Sequence, residues 1–287
     1  MVSLNLEEMK MKRTTVVLSL VLLLSLSLLS ATGSKETVEK KRMTFGGSST
    51  AAPIIAGAIP AYEAKHNDVA ITYETLGSSV GIKSLEDGTL TLAGSSRELK
   101  ESEIALGDKA VPVALDELSV VVHGDVAIDN LTMNELASIF SGEITNWKDV
   151  GGNDEKIVLV VRAETSGTYG SFKEIVLDKQ KKAPTKEAIV AKENGELAAK
   201  VASTPGAVGY CGMAFASTVK ARGGSVLSIE GIDPTSKNVK NGTYPISRSL
   251  FMVSKGEPGE VERSFIDFLL SKEGQAIVEE NGFITIR

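Results

Sequence analysis

The run Arg162-Ala163-Glu164-Thr165-Ser166-Gly167-Thr168-Tyr169-Gly170-Ser171-Phe172 gathers one guanidinium, several hydroxyls and two glycines into a short stretch. It follows the apolar segment Ile157 to Val161 and precedes apolar residues at helical spacing, so it reads as strand, tight turn and helix start. A helix opening near Ser166 leaves its first N–H groups without intrahelical acceptors, at the positive end of the helix dipole. Gly167 lets a ligand approach the backbone, Ser166 and Thr168 add hydroxyl donors, and Arg162 adds a forked charge at the strand end. This combination suits a small oxyanion. An ordinary Ser/Thr helix cap, with Arg162 in a surface salt bridge, would give the same pattern.

Three further segments repeat the construction. Met43-Thr44-Phe45 enters Gly46-Gly47-Ser48-Ser49-Thr50-Ala51-Ala52-Pro53, after which Ile54, Ile55, Ala58, Ile59 and Tyr62 recur at helical spacing. Val69 to Glu74 alternates as a strand and runs into Gly77-Ser78-Ser79-Val80-Gly81-Ile82, and Leu90 to Ala93 ends in Gly94-Ser95-Ser96-Arg97. In open α/β sheets the loops at the carboxyl ends of parallel strands gather on one edge. The loops holding Ser49, Ser78, Ser96 and Ser166 are therefore expected to converge on one cleft with Arg97 and Arg162. The chain has no G-x-x-x-x-G-K-[ST] phosphate loop. A serine hydrolase would need a base in reach of an elbow such as G-x-S-x-G, and neither His66 nor His123 has an evident orienting partner, so a secreted hydrolase or phosphatase is disfavoured and no enzyme is expected.

Composition narrows the class. With 287 residues and 42% hydrophobic content the chain can bury a large core, and a net charge of −6 argues against a nucleic-acid partner. An acidic chain that binds an anion must generate its positive potential locally. One cysteine, Cys211, and two histidines exclude an intrachain disulfide and disfavour a metal centre, and 5% aromatic content disfavours a stacking groove. No cofactor is expected. Lys10, Lys12 and Arg13 precede the apolar run Val16 to Leu29 and the small residues Ser30 to Gly33, which predicts a signal peptide over 1–33. An uncleaved anchor is the alternative; in both cases the functional part is periplasmic or extracellular. Residues 34–42 are charged and aperiodic, a flexible lead-in.

Two long strands, Val111 to Val122 and Thr243 to Val253, lie about one-third along the chain and near its end, as expected where two strands cross between two lobes. Between them come a helix over Leu131–Phe140 opened by Thr132, a loop with Trp147, a helix from about Ser171, a helix near Asn194–Ala202 and a strand from Ala207 to Tyr210; helix follows over Glu260–Leu270 and continues to Glu280. Trp147 is expected to anchor packing, Arg248 to brace the hinge, and both histidines to be solvated.

Gly46 to Pro53, Gly77 to Lys83, Ser95-Ser96-Arg97-Glu98-Leu99, and Arg162 with Ser166-Gly167-Thr168 resemble the ligand loops of the periplasmic phosphate-binding proteins that serve phosphate ABC transporters. Phe140 to Trp147, Gly206 to Tyr210 and Tyr244 to Arg248 are similar to further segments of that family, and the likeness runs in order from Thr44 to the C-terminus. The resemblance implies an α/β, two-lobed type II solute-binding fold, with two mixed sheets flanked by helices and joined by two crossing strands. Its lobes would be 43–117 with 246–287, and 118–245. It implies a monomer that captures inorganic phosphate and delivers it to a membrane ABC permease, sulfate or molybdate being the alternative oxyanions. The implied ligand-binding residues are Ser48, Ser49, Thr50, Ser78, Ser79, Ser96, Arg97, Arg162, Ser166, Gly167 and Thr168. Well-known members carry an aspartate where this chain has Ser96. The candidate carboxylate for distinguishing protonated phosphate from sulfate is then Asp116, with neutralisation by Arg97 or Arg248 as its other reading.

Overall fold

The computed structural model describes residues 40–286, so the expected signal peptide over 1–33 lies outside the described residues. Strand β1 (Lys41–Gly47), helix α1 (Ala52–Glu63), β2 (Val69–Thr75), α2 (Ser78–Glu86), β3 (Leu92–Ser95) and α3 (Glu101–Ala105) lead into β4 (Asp108–Val122). Next come β5 (Asn130–Leu131), α4 (Met133–Ser141), β6 (Val158–Arg162), α5 (Gly167–Phe172), β7 (Ile189–Ala191), α6 (Asn194–Ser203) and β8 (Ala207–Gly212). Helix α7 (Ala216–Lys220), β9 (Ser225–Val226), β10 (Ser228–Ile229) and α8 (Ser236–Lys240) precede β11 (Ser247–Lys255), α9 (Glu260–Leu270) and α10 (Lys272–Glu280).

One mixed sheet runs β2-β1-β3-β11-β4-β8-β6-β7, with β9 on the end of β4. Strand β4 joins its two halves. Residues Asp108–Glu117 pair antiparallel with β11, and Leu118–Val122 pair with β8. Pro112 cannot donate to a ladder, and beside it the β4–β11 register slips at Leu250/Phe251, a bulge that bends the strand. The second crossing is made by irregular chain rather than by the strand expected from Thr243: β11 begins at Ser247, after Pro245, and the Leu118 N–H donates to the Ile246 carbonyl.

Apolar burial divides at the same place. Phe45, Ile54, Tyr62, Leu92, Leu250 and Phe265 fill one core, and Leu118, Phe140, Trp147, Phe172, Tyr210 and Tyr244 fill another. In the second, Phe172 stacks on Tyr210 at 3.8 Å and meets Phe140 edge-on at 4.7 Å. Trp147 is buried and donates Nε1–H to the Gly206 carbonyl at 3.0 Å, so it anchors packing as expected. Helix α5 opens at Gly167 with Ser166 as its cap, where the Ser166-Gly167-Thr168 motif places the helix start rather than at about Ser171, and runs into a π-turn over Lys173–Leu177. The C-terminal helix is broken at Ser271, whose hydroxyl accepts from the Gly274 N–H and starts α10. His66 stacks on Tyr62, and His123 sits 2.6 Å from Asp125, so neither is simply solvated.

The polar middle of β4 is buried. Asp116 and Glu117 are 0% and 4% exposed. Glu117 accepts one hydrogen bond, from Ser119 Oγ at 2.5 Å, and its second oxygen has no partner among the described residues. Burial pushes its carboxyl up to about 8, with Asp116 adding repulsion and Lys220 opposing it. Between its unfolded value of 4.5 and about 8, the folded chain holds a proton that the unfolded chain has released, so stability falls as pH rises through this window. Glu117→Gln is expected to remove this slope, worth about 1.4 kcal/mol per pH unit. Urea melts of the variant and the parent should coincide near pH 4 and diverge in the variant's favour towards pH 8; parallel pH profiles would contradict the assignment.

Candidate functional site

Four strand-to-helix loops meet over the centre of the sheet. At the end of β1, Gly47 adopts φ +121° and lies so close to Gly94 that an added Cβ would stand 2.4 Å from the Gly94 carbonyl oxygen. Only glycine fits that approach of β1 to β3. Ser48 Oγ then accepts from the Thr50 and Ala51 N–H groups at 3.1 and 3.2 Å. Ser48 is thus spent on shaping the loop, which the Tyr73 hydroxyl steadies by donating to the Ser48 carbonyl at 2.7 Å. The neighbouring Ser49 and Thr50 point across the sheet instead.

In the second loop Gly77, at φ +84°, turns the chain into α2. Ser78 Oγ accepts from the Ser96 N–H at 3.1 Å and lies 3.4 Å from Ser96 Oγ, which joins the second and third loops. The Ser96 carbonyl accepts from Ser171 Oγ at 2.8 Å and Arg248 Nη1 at 3.1 Å. Arg97 turns away from this cluster: its two terminal nitrogens hold Glu103 at 2.7 and 2.8 Å, and Nη2 also reaches Ser79 Oγ at 3.3 Å. The Arg97 charge is therefore neutralised locally, and Ser79 supports it.

Arg162, at the end of β6, is 2% exposed. Its Nη2 donates to Ser49 Oγ at 3.1 Å and to the Lys192 carbonyl at 2.7 Å. Nε and Nη1 are buried with no partner among the described residues, and no carboxylate stands in salt-bridge range. Burial pulls its pKa down to about 10, with Glu193 opposing that at longer range. Ser166 caps α5 by accepting from the Thr168 and Tyr169 N–H groups. The cap reading of the motif therefore holds for Ser166, while the surface salt bridge proposed for Arg162 does not form. Gly167 packs flat on the opposing loops: a Cβ there would lie 2.2 Å from Ser78 Oγ and 2.5 Å from Ser96 Oγ. Thr168 Oγ1 meets Thr50 Oγ1 at 3.0 Å.

Asp116 faces the same centre but is occupied. Arg248 donates to its Oδ2 from Nε at 2.9 Å and Nη2 at 2.7 Å, and the Met213 N–H donates to Oδ1 at 3.0 Å. Arg248, not Arg97, is the neutralising partner, as the brace expected of it. Burial pushes the Asp116 carboxyl up, against the pull of Arg248 and the Met213 N–H.

Of the twelve sequence-predicted residues, Ser49, Thr50, Ser78, Ser96, Arg162, Gly167 and Thr168 come together at the centre, linked by the contacts above. Ser48 and Ser166 hold its loops, Ser79 and Arg97 lie to one side with Glu103, and Asp116 closes the floor with Arg248. Asn194 escaped the sequence reading. It is buried at the start of α6, donates to Thr50 Oγ1 at 2.8 Å and accepts from the Gly212 N–H at 3.4 Å. Its loop follows a strand, β7, but carries none of the glycine–serine clustering that marks the others. Among the described residues no group of histidine, cysteine or acidic side chains could hold a metal ion, and no helix is long and apolar enough to cross a membrane.

The arrangement is a ring of buried hydroxyls around a guanidinium that no carboxylate among the described residues neutralises. Comparison with known proteins agrees with it. A family model described as a PBP superfamily domain matches residues 31–273. Phosphate-binding protein PstS of Borreliella burgdorferi is 38% identical over 278 residues, covering 94% of this chain and 99% of the relative. The Bacillus subtilis protein of that name is 32% identical, with coverage of 85% and 80%. Among solved structures, a Clostridium perfringens protein assigned to phosphate ABC transport and holding bound phosphate superposes with a TM-score of 0.79 at 33% identity, over 86% of this chain and 100% of that one. An ABC-type phosphate transport receptor from Vibrio cholerae gives 0.72 at 31% identity, over 85% and 99%. The family is one of substrate-binding receptors rather than enzymes, with the α/β type II fold described above. The chain belongs to the PstS family of phosphate-binding proteins, within the PBP superfamily.

Proposed function

We propose that the protein is an extracytoplasmic receptor that captures inorganic phosphate between the two halves of its sheet and delivers it to the permease of an ABC transporter. The observation that carries this reading is Arg162, a buried guanidinium with two donor nitrogens unpartnered, and no carboxylate partner, among the described residues. Burying an unpaired charge costs several kcal/mol, and a bound anion offsets that cost with charge-assisted hydrogen bonds. The relatives bear names and bound ligand that match an oxyanion of this size.

In this reading Arg162, Ser49, Thr50, Ser78, Ser96, Gly167 and Thr168 surround the anion. Ser48, Ser166 and Asn194 fix the loops, and the Arg97–Glu103 and Arg248–Asp116 pairs hold the frame. The lobes are 43–117 with 246–287, and 118–245. They hinge where β4 exchanges β11 for β8 and where the chain crosses back at Ile246, so closure brings Ser49 and Thr50 onto Arg162 and Thr168. Both jaws come from one chain, which supports a monomer. The acidic balance, −6 overall, supports a small anion rather than a nucleic-acid partner.

Arg162→Met is expected to weaken phosphate binding by about 100-fold or more, because the charge and its two free donors are lost. Its ligand-free stability should be equal to or above that of the parent, since an uncompensated buried charge has been removed. Calorimetry with phosphate and a urea melt without it check both halves; unchanged affinity, or a large loss of ligand-free stability, would contradict the role. Gly167→Ala places a methyl group against Ser78 and Ser96 and is expected to reduce affinity on the order of tenfold through overpacking. The same titration checks it, and an affinity within twofold of the parent would show that the cleft does not close on this contact.

A further inference from the structure

Hydrogen phosphate carries an O–H and sulfate does not, so the acceptors of a cleft decide whether it tells them apart. An ionised carboxylate accepts a hydrogen bond from that O–H and sets its own lone pairs against the oxygens of sulfate. A hydroxyl does neither exclusively, because it accepts from phosphate and, turned about its C–O bond, donates to sulfate.

Each carboxylate near the centre is committed elsewhere or faces away. Asp116 receives three hydrogen bonds from Arg248 and Met213, and Glu103 is held by Arg97 and the Lys100 N–H. Glu117 follows Asp116 on the strand, so it projects from the opposite face, where it meets Ser119. Glu98 and Glu164 are exposed, and Glu193 is half-buried, beyond salt-bridge range of Arg162. What faces Gly167 at the centre is a pair of hydroxyls, Ser78 and Ser96, 3.4 Å apart and at most 1% exposed. Ser78 Oγ accepts from the Ser96 N–H, and either hydroxyl of the pair can be the donor to the other, so each keeps acceptor capacity and a rotatable proton to offer a ligand.

Building on the receptor reading above, we propose that selectivity in this cleft is set by the Ser78–Ser96 hydroxyl pair rather than by a carboxylate. The cleft therefore admits fully ionised tetrahedral dianions, sulfate among them, in competition with hydrogen phosphate. Asp116 acts as the counter-charge of Arg248 and takes no proton from the ligand.

The test is calorimetric competition on the full chain in phosphate-free buffer, with inorganic phosphate as ligand and sodium sulfate as competitor at constant ionic strength. The expected result is a sulfate Kd within about 100-fold of the phosphate Kd, the range in which a site lacking a dedicated polar rejection operates. A larger ratio overturns the proposal. Ser96→Asp supplies the missing carboxylate and is expected to raise the ratio by about 100-fold or more while phosphate still binds; an unchanged ratio would overturn the role of the pair. The isosteric Asp116→Asn provides a second measurement should the aspartate prove too large beside Gly167. Its ratio should stay within about threefold of the parent, and a collapse would return the discrimination to Asp116. Absence of any heat with phosphate in the parent would overturn the receptor reading itself, whereas phosphate binding with strict exclusion of sulfate would overturn this proposal alone.

Discussion

A guanidinium buried without a carboxylate is the constraint around which the rest of this molecule is arranged. Arg162 has lost its water, keeps two donor nitrogens unpaired and is held in place by one hydroxyl and one carbonyl. Such a group is costly in a folded protein unless an anion arrives to meet it. Two other buried arginines show the opposite solution: Arg97 is neutralised by Glu103 and Arg248 by Asp116. The chain thus pairs the cations that build the frame and leaves open the one at the centre. With a net charge of −6 overall, it still buries this one cation among neutral hydroxyls.

That arrangement depends on β4. Its first ten residues belong to one half of the sheet and its last five to the other, so a single strand carries the register of both cores. Asp116 stands just before the exchange, opposite Arg248 on β11, and their ion pair ties the crossing strand to the carbonyl of Ser96 and the hydroxyl of Thr50. The loops from the two halves then touch through short polar contacts, Ser49 to Arg162, Thr50 to Thr168 and Asn194, and Ser171 to Ser96, rather than through an apolar seam. A polar seam can part and rewet at little cost, whereas an apolar one would resist opening. The same geometry gives the proposed closing motion its pivot.

Much of this was legible in the sequence because it is local. Apolar runs interrupted by glycine and hydroxyl clusters mark the strand ends at Gly47, Gly77 and Ser166, and the likeness to a known family follows from those clusters. Pairing was not legible. Arg97 and Arg162 each sit in a loop with serines nearby, yet Glu103, six residues on, captures the first and no carboxylate among the described residues captures the second. The partner of Asp116 is fixed by a strand register spanning 132 residues, for which the two arginines offered no local sign. Asn194 was missed because a single amide after Glu193 resembles any polar helix start, and the irregular second crossing followed from Pro245, which keeps the chain off the ladder until Ser247.

The central claim is that Arg162 is kept unpaired for an anion, and the most direct test is a crystal structure of the protein grown with phosphate. The account predicts a tetrahedral anion with oxygens about 2.8 Å from Arg162 Nε or Nη1, ringed by Ser49, Thr50, Ser78, Ser96 and Thr168, with Arg248 still bound to Asp116. Phosphate seated elsewhere, or a carboxylate closing on Arg162 in its place, would contradict it.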